Sequence, residues 1–408
     1  MEQLRLDFLH ILKHALLGLR LSSFEELSPD QWNKLEKLAE AHKVLPLLFD
    51  TVALLPQLQG TEILERLRRQ SRRQILLQTQ KDYAFRDVYE KLREAGATPL
   101  VVKGIVCRHL YPQPDLRPSS DEDLLIPPHQ LPICHDVLTR HGLQTAVPPE
   151  QMEADYEIPY RSATGPLFIE LHKQLFPPRS DAYGELNRFF EGVFDRAIRE
   201  NAVYTLPHTD HLFYLICHAF KHFIHSGFGI RQVCDIILYA NAHGSQIDWT
   251  QVLDNCRAIR ADKFAAAIFQ IGSKYLVFDP DKANYPDPWR KISVDELPML
   301  EDLLSAGVYG GADRNRKHSS NITLDAVAAQ KQGRKSKNGV LTSVFPPASK
   351  LEGRYSYLKK RPYLLPVAWC SRLWTYAKET GHDRSSAADA LRIGSERINL
   401  LREYGILK

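Results

Sequence analysis

Two aspartates separated by one residue, Asp121 and Asp123, stand at the head of the apolar run 124–126. In a β-strand, residues i and i+2 project to the same face, so this spacing predicts two carboxylates that point together. Two like charges held that close favour a shared cation, and hard divalent ions such as Mg²⁺ take carboxylate and phosphate oxygens. On its own, such a pair is more often a solvated strand start or a helix cap. Its interpretation therefore depends on the residues around it.

A third acid and a lysine–glycine pair extend the pattern. Glu170 interrupts the apolar strand predicted over 166–172, and an unpaired buried carboxylate would be costly. A cation shared with Asp121 and Asp123 would be its partner. Lys103 and Gly104 end another predicted strand, where a glycine would let a triphosphate approach the backbone. Two-metal phosphoryl or nucleotidyl transfer needs such a set, because the acids hold metal ions on the phosphates near the attacking oxygen.

These residues fall in a β-rich stretch that follows a helical N-terminal region. Apolar spacing predicts helices at 3–20, from residue 29 and at 62–95, with capping signals at Ser28 and Thr61 and an end at Gly96. From residue 98 the apolar period shortens, which predicts strands. The predicted elements that follow are strands at 99–102 and 121–126, helices at 107–111 and 129–141, and a hairpin with arms 156–162 and 166–172.

The rest of the chain is predicted to be helical apart from one loose segment. Helices are expected at 185–200, at 210–225 and continuously over 248–278. Between 306 and 350, glycines lie among basic and polar residues, which favours a flexible loop or lid, with phosphate gripping as the alternative. The predicted layout is a helical region 1–96, a catalytic core 97–205, a helical region closing the cleft 206–300, a flexible basic loop or lid 301–350, and a C-terminal helical segment 351–408.

The helix predicted over 210–225 carries four histidines on one broad side, at positions 211, 218, 222 and 225. His218 and His222 have the i, i+4 spacing of helical zinc sites. However, Ala219 stands where a zinc protease motif would place its glutamate. Phosphate contacts from these histidines and Lys221, or packing against the hairpin, are the favoured alternatives to metal binding.

Composition gives no support to several classes of protein. The formal net charge of +4 across 408 residues is too small to indicate a dedicated nucleic-acid surface. Six scattered cysteines without a Cys-x-x-Cys pair argue against a zinc knuckle or a disulfide framework, and indicate a reducing compartment. The acidic N-terminus is unlike a signal peptide, and no apolar run reaches the roughly 18 residues of a membrane helix. We therefore expect a soluble cytoplasmic protein that has no membrane partner.

Several segments resemble the bacterial nucleotidyltransferase-like family of the DNA polymerase beta superfamily. The resemblance covers about residues 30–375, and its specific part is the Lys-Gly and Asp-x-Asp region. The similar segments are 100–105, 110–112, 116–118, 120–126, 169–172, 211–222 and 361–369. The resemblance implies an α+β, mostly helical fold with a small mixed sheet of polymerase-beta type between N-terminal and C-terminal helical regions. It also implies two divalent ions, Mg²⁺ or Mn²⁺, and a nucleoside triphosphate substrate.

The resemblance assigns roles residue by residue. Asp121 and Asp123 match its metal-binding pair, Glu170 matches its third acid, and Gly104 matches the glycine of its Gly-Ser signature. Ile105 departs from the pattern, because the wider superfamily has a serine there that contacts the triphosphate.

The departure at Ile105 shifts the expected phosphate contacts to other donors. These are Lys103, Arg117 and Ser120, with His218, Lys221 and His222 forming the opposite wall of the cleft. Glu122 should face the other way from its two neighbours and is left out of the site.

These expectations combine into a metal-dependent nucleotidyltransferase. It would move a nucleoside monophosphate from a nucleoside triphosphate, with ATP expected, to an unidentified hydroxyl-bearing acceptor, and would release pyrophosphate. The acceptor could be a small molecule, a sugar, a peptide or a protein. Two alternatives remain open on the same fold. One is a nucleotide-binding or scaffold protein without turnover, which Ile105 would permit, and the other is a kinase-like phosphoryl transferase.

Overall fold

A computed structural model describes residues 1–307, 323–324, 326–331, 355, 357–358, 361–371 and 384–408. Most of the segment predicted as a basic loop or lid, including Gly310, Gly311, Gly333 and Gly339, lies outside the described residues. The described helices include none with the length and apolar character needed to cross a bilayer.

The N-terminal region consists of four helices: α1 (Gln3–Leu16), α2 (Pro29–Ala41), α3 (Leu45–Val52) and α4 (Glu62–Glu94). Local sequence explains two of their starts. The Ser28 hydroxyl accepts a hydrogen bond from the Gln31 amide at 3.3 Å, and Gln31 Oε1 accepts one from the Ser28 amide at 2.8 Å. The Thr61 hydroxyl caps α4 by accepting a hydrogen bond from the Leu64 amide at 3.3 Å. The three predicted helices are confirmed, and α3 was not predicted.

The sheet at the centre of the chain is mixed. Its strands are β1 (Leu100–Val101), β2 (Glu122–Leu125), β3 (Leu143–Gln144), β4 (Glu157–Ser162) and β5 (Phe168–His172), in the spatial order β1-β2-β5-β4-β3. β2 runs parallel to β5, and the other neighbouring pairs are antiparallel. The predicted hairpin is confirmed as β4 and β5. The α+β fold with a small mixed sheet is therefore confirmed.

Short helices connect these strands. They are α5 (Gly104–Arg108), α6 (Leu131–Arg140) and α7 (Pro149–Met152). The helix predicted over 107–111 is wrong in its bounds, because α5 begins directly at the glycine after β1.

The helix predicted over 185–200 is also wrong. A single 3₁₀ segment, Gly184–Phe190, is followed by a small hairpin of β6 (Ile198–Glu200) and β7 (Val203–Thr205). Asn201 and Ala202 adopt positive φ angles of 46° and 70° in its turn. Left-handed residues end a helix and suit a two-residue hairpin turn, so the local backbone favours strands here.

The C-terminal region is helical. It contains α8 (His208–His225), α9 (Ile230–His243), α10 (Trp249–Ala258), α11 (Asp262–Tyr275), α12 (Asp287–Arg290), α13 (Leu297–Ala306) and α14 (Arg384–Glu403). The continuous helix predicted over 248–278 is wrong, because Arg260 has φ 59° and separates α10 from α11. Asp248 caps α10 as expected, through hydrogen bonds from the Thr250 and Gln251 amides at 3.0 Å.

A buried histidine joins the N-terminal helices to this region. His42, which follows α2, is fully buried; its Nδ1 accepts a hydrogen bond from the Ile230 amide at 3.2 Å. Its Nε2 lies 3.3 Å from the Leu304 carbonyl oxygen. Since Nδ1 acts as an acceptor, the ring is neutral and Nε2 carries the proton. This contact fixes α9 and α13 against the helices that precede the sheet.

Candidate active site

The pairing of β2 with β5 brings the predicted acids together. In the parallel register, Asp123 lies opposite Glu170, and Leu125 lies opposite His172. Donor atoms of Asp123, Glu170 and His172 all lie within 4.8 Å of one another. Because side chains alternate along a strand, Asp123 on β2 and Glu170 and His172 on β5 share one face of the sheet, and Asp121, which directly precedes β2, lies two residues before Asp123.

Asp123 is the buried centre of this group. Its Oδ2 forms an ion pair with Lys103 Nζ at 2.9 Å, and its Oδ1 lies 3.3 Å from His172 Nε2. Burial alone would raise the pKa of the Asp123 carboxyl, but Lys103 and His172 outweigh that effect and hold the pKa well below its ordinary value. Asp123 is therefore ionised and faces a cation already supplied by the protein.

Glu170 has a different environment. Burial raises the pKa of its carboxyl to about 8, and the charges of Asp123, Asp121 and Glu157 act in the same direction. His172 lies between these acids, with Nε2 at 3.8 Å from Glu170 and Nδ1 at 3.6 Å from Glu157. Carboxylates crowded in this way fit a divalent cation, because a cation would relieve their repulsion and the oxygen-rich donor set suits Mg²⁺ or Mn²⁺.

Asp121 flanks this group. Its carboxylate is half-buried and accepts a hydrogen bond from the Ser120 hydroxyl at 3.1 Å. It is close enough to contribute to the raised pKa of Glu170. The structure thus brings three of the predicted groups, Asp121, Asp123 and Glu170, to one face, together with Lys103.

His172 was missed as a site residue by the sequence reasoning. It follows Glu170 by two positions, as Asp123 follows Asp121, and this spacing was the available signal. Two neighbouring strands with the same alternation present four polar side chains on one face.

Glu122, between the two aspartates, projects to the opposite face and is completely buried. Its Oε1 accepts hydrogen bonds from Arg108 Nη1 at 2.7 Å and from the Ser119 hydroxyl at 3.0 Å, and its Oε2 accepts one from the Ile105 amide at 3.1 Å. These donors satisfy a charge that would otherwise be costly to bury. Glu122 therefore holds β2 and α5 together from behind the site.

The buried Glu122 carboxylate leaves no space for a side chain at position 104, which explains the glycine there. Its φ of 44° is left-handed, and a Cβ added to it would lie 1.9 Å from Glu122 Oε2. The sequence interpretation, in which the glycine makes room for a triphosphate, is therefore corrected, because the glutamate takes up that room. The Ile105 amide donates to the same carboxylate, and the Ile105 side chain is buried.

Arg117 also differs from the sequence interpretation. Its guanidinium is buried and forms a bidentate ion pair with Asp235 of α9, through Nε at 2.8 Å and Nη2 at 2.6 Å. Tyr111 donates to the same carboxylate at 2.8 Å. The expected phosphate contact is replaced by a structural one, because Asp235 neutralises the arginine inside the protein. Arg231, four residues before Asp235, donates instead to the Pro118 carbonyl oxygen.

Helix α8 carries His218, Lys221 and His222, which were predicted to form the opposite wall of the cleft. His218 Nε2 lies 3.4 Å from Lys103 Nζ, and its Nδ1 lies 3.2 Å from Gln232 Nε2. The His222 ring is next to it, with a centroid separation of 4.7 Å. Burial and the charges of Lys103 and Lys221 lower the pKa of both histidines well below 6.5. The wall therefore consists of neutral imidazoles next to half-buried Lys221.

Of the two other histidines predicted on this side of the helix, His211 is not part of this wall. His211 is fully buried, with Nδ1 3.0 Å from the Thr205 hydroxyl, and the His225 carbonyl oxygen accepts a hydrogen bond from Arg397. Tyr214 was not predicted. It is buried, and its hydroxyl pKa is raised by burial and by the charges of Asp123, Glu170 and Asp121.

A family model described as uncharacterised nucleotidyltransferase matches residues 28–276. The chain belongs to this family. The match takes in every residue assigned to the site above, and supports a role in nucleotidyl transfer. It ends before the segment at 361–369 that the sequence resemblance included. No curated protein and no solved structure matches the chain.

In this nucleotidyltransferase-family chain, a cavity of about 620 Å³ opens beside Ser120. Its volume lies in the usual range for small-molecule sites. Lys43, Lys81 and Arg231 line it together with one acid, Glu40, so the basic side chains outnumber the acidic ones and favour an anionic occupant. Lys81 donates to the Ser119 carbonyl oxygen, and burial lowers its pKa to about 8.

Replacing Gly104 tests the space taken by Glu122. Gly104→Ala should destabilise the protein by at least about 2 kcal/mol more than Gly142→Ala, because only the first adds a clash with a buried carboxylate. Gly142 is a matched control, since its φ is 79° and a Cβ there meets no atom within 4 Å. Denaturant unfolding of both variants measures the difference. Equal destabilisation would contradict the proposed packing.

Removing one carboxylate tests the electrostatic repulsion in the site. At pH 9 with a chelator, Glu170→Gln should unfold about 2 °C or more above the wild type, since it removes a charge beside Asp121, Asp123 and Glu157. Added Mg²⁺ should then stabilise the wild type more than the variant. Thermal unfolding measures both effects, with the exposed Glu150→Gln as control. A Mg²⁺ response that is equal in the wild type and Glu170→Gln would argue against Glu170 as a ligand.

Proposed function

We propose that this protein transfers a nucleoside monophosphate from a nucleoside triphosphate to a hydroxyl-bearing acceptor and releases pyrophosphate. ATP is the first donor to test. The observation that carries the proposal is the register of β2 and β5, which places Asp123 beside Glu170 in a member of a nucleotidyltransferase family. Asp121 on the same face completes the three acids that such chemistry uses.

Asp121, Asp123 and Glu170 are the residues that would hold Mg²⁺ or Mn²⁺, and His172 adds a nitrogen donor at their centre. When bound, the ions would neutralise the charge of the triphosphate and align it with the attacking oxygen. The raised pKa of Glu170 is consistent with this assignment, because burial and then the charges of Asp123, Asp121 and Glu157 all disfavour an ionised carboxylate there, and a bound cation would offset both effects.

The chain's own residues supply the remaining chemistry. The acceptor oxygen attacks the α-phosphorus, its proton passes to Glu170, and the bond from the α-phosphorus to the bridging oxygen breaks as pyrophosphate leaves. A carboxylate with a pKa near neutrality is suited to accept that proton.

Three groups would bind phosphate oxygens. Lys103 is a buried ammonium against Asp123, Ser120 presents its hydroxyl beside Asp121, and Lys221 stands on the α8 wall. His218 and His222 carry no charge, so they would contribute hydrogen bonds rather than Coulomb attraction. The cationic cavity next to Ser120 would take an anionic part of the donor or the acceptor.

Substitution of the aspartates tests the proposal. Pyrophosphate release should be measured with each of the four triphosphates, Mg²⁺ and a cell extract as the source of acceptor. Asp123→Asn and Asp121→Asn should each lower the rate by about a thousandfold, because a metal-held phosphate is worth several kcal/mol in the transition state. Asp136→Asn, an exposed aspartate on α6, should match the wild type.

Thermal unfolding shows whether each variant is folded. This matters most for Asp123→Asn, because it leaves Lys103 without its carboxylate. Asp121→Asn is the safer variant, since Asp121 is only half-buried. Wild-type rates in a folded Asp121→Asn and a folded Asp123→Asn would contradict the proposal.

A further inference from the structure

A second group of ligand-type side chains lies where the β6–β7 hairpin meets the two long helices. Glu200 is the last residue of β6, His208 the first residue of α8, and His243 the last residue of α9. Donor atoms of the three lie within 4.8 Å of one another. None of them belongs to the Asp123 group, and the proposed transfer reaction does not use them.

The three side chains are held close together and away from water. His243 Nε2 lies 3.1 Å from Glu200 Oε1, and these side chains are 12% and 18% exposed. The His208 and His243 rings stack, with centroids 4.3 Å apart and an angle of 17°.

One carboxylate oxygen in the group lacks a partner. Within the described part of the chain, Glu200 Oε2 is buried and accepts no hydrogen bond. A buried carboxylate oxygen without a donor is costly, and native proteins rarely leave one so. A cation seated between Glu200 and the two imidazoles would satisfy it.

The second ring nitrogen of His208 is already engaged. Its Nδ1 lies 2.9 Å from the hydroxyl of Tyr239, which is completely buried and whose ring also lies 4.5 Å from that of His243. Metal-binding histidines commonly have one nitrogen held by a neighbouring group, which orients the other toward the ion. The Gln246 side chain also hydrogen-bonds the His208 ring, so a bound ion would take the place of that contact at the nitrogen that Tyr239 does not hold.

We propose that Glu200, His208 and His243 bind a zinc ion that joins the hairpin to the start of α8 and the end of α9. Two imidazoles and one carboxylate are a typical zinc donor set, whereas Mg²⁺ and Ca²⁺ favour oxygen ligands. A fourth position would be taken by water. Because α8 also carries the His218–Lys221–His222 wall, the ion would fix the helix that faces the nucleotidyl-transfer site.

The competing explanation is an ion pair between Glu200 and a protonated His243, with His208 packed beside it. His243→Lys separates the two explanations, because a lysine preserves the positive charge but removes the imidazole ligand. Tyr239→Phe tests the orientation of His208, since loss of such a supporting hydrogen bond weakens metal affinity about 10- to 100-fold.

The measurement is a zinc titration of the full-length, chelator-stripped protein, followed by competition with a colorimetric chelator and by thermal unfolding. Every protein carries Glu170→Gln and His172→Gln, so that the active-site group does not add zinc of its own. The protein with these two changes alone should bind one equivalent of zinc and gain thermal stability. His208→Ala and His243→Lys should each lose the bound equivalent and the gain, and Tyr239→Phe should keep the site at reduced affinity.

His129→Ala, which removes an exposed histidine of the same chain, should bind zinc like its parent. Cobalt in place of zinc gives a second readout, since a tetrahedral cobalt site absorbs visible light intensely. His208→Ala and His243→Lys should lose this absorption, and His129→Ala should keep it. The proposal is overturned if the parent protein takes up no zinc, or if a folded His243→Lys binds zinc with unchanged affinity. Should His208→Ala fail to fold, His243→Lys and Tyr239→Phe still decide the question.

Discussion

The buried carboxylate of Glu122 determines how the candidate site is built. Because side chains alternate along a strand, Asp121 and Asp123 project to the open face, which carries Glu170 and His172, only while Glu122 projects to the opposite, closed face. Arg108, the Ser119 hydroxyl and the Ile105 amide together satisfy that carboxylate. The glycine that follows β1 is the residue that leaves space for it. An ion pair behind the sheet thus fixes the direction of the acids in front of it.

The two faces of β2 differ in how their charges are balanced. On the closed face, protein donors satisfy Glu122. On the open face, Lys103 balances Asp123, while burial and the charges of Asp123, Asp121 and Glu157 raise the pKa of Glu170. The imidazoles of α8 stay neutral, and Lys221 is the basic side chain of that wall. A cluster of acids that repel one another in this way fits a site for divalent ions.

Local patterns were sufficient for much of the fold and for part of the site. The Asp-x-Asp spacing, the hairpin and the Ser28 cap are features of neighbouring residues, and all three have the expected structure. The interpretation of Arg117 differed because its partner Asp235 lies 118 residues away. Gly104 was interpreted through a ligand because its contact with Glu122 exists only after β1, α5 and β2 have packed.

We infer that Asp123 and Glu170 serve transfer of a nucleoside monophosphate. The most direct test follows the α-phosphate and the γ-phosphate of the triphosphate separately. The protein, Mg²⁺ and a cell extract are incubated in parallel with ATP labelled at the α-phosphate and at the γ-phosphate. We expect the α-label to enter an acceptor, while the γ-label is recovered in pyrophosphate. Recovery of the γ-label in the acceptor, or binding of ATP without release of either label, would contradict it.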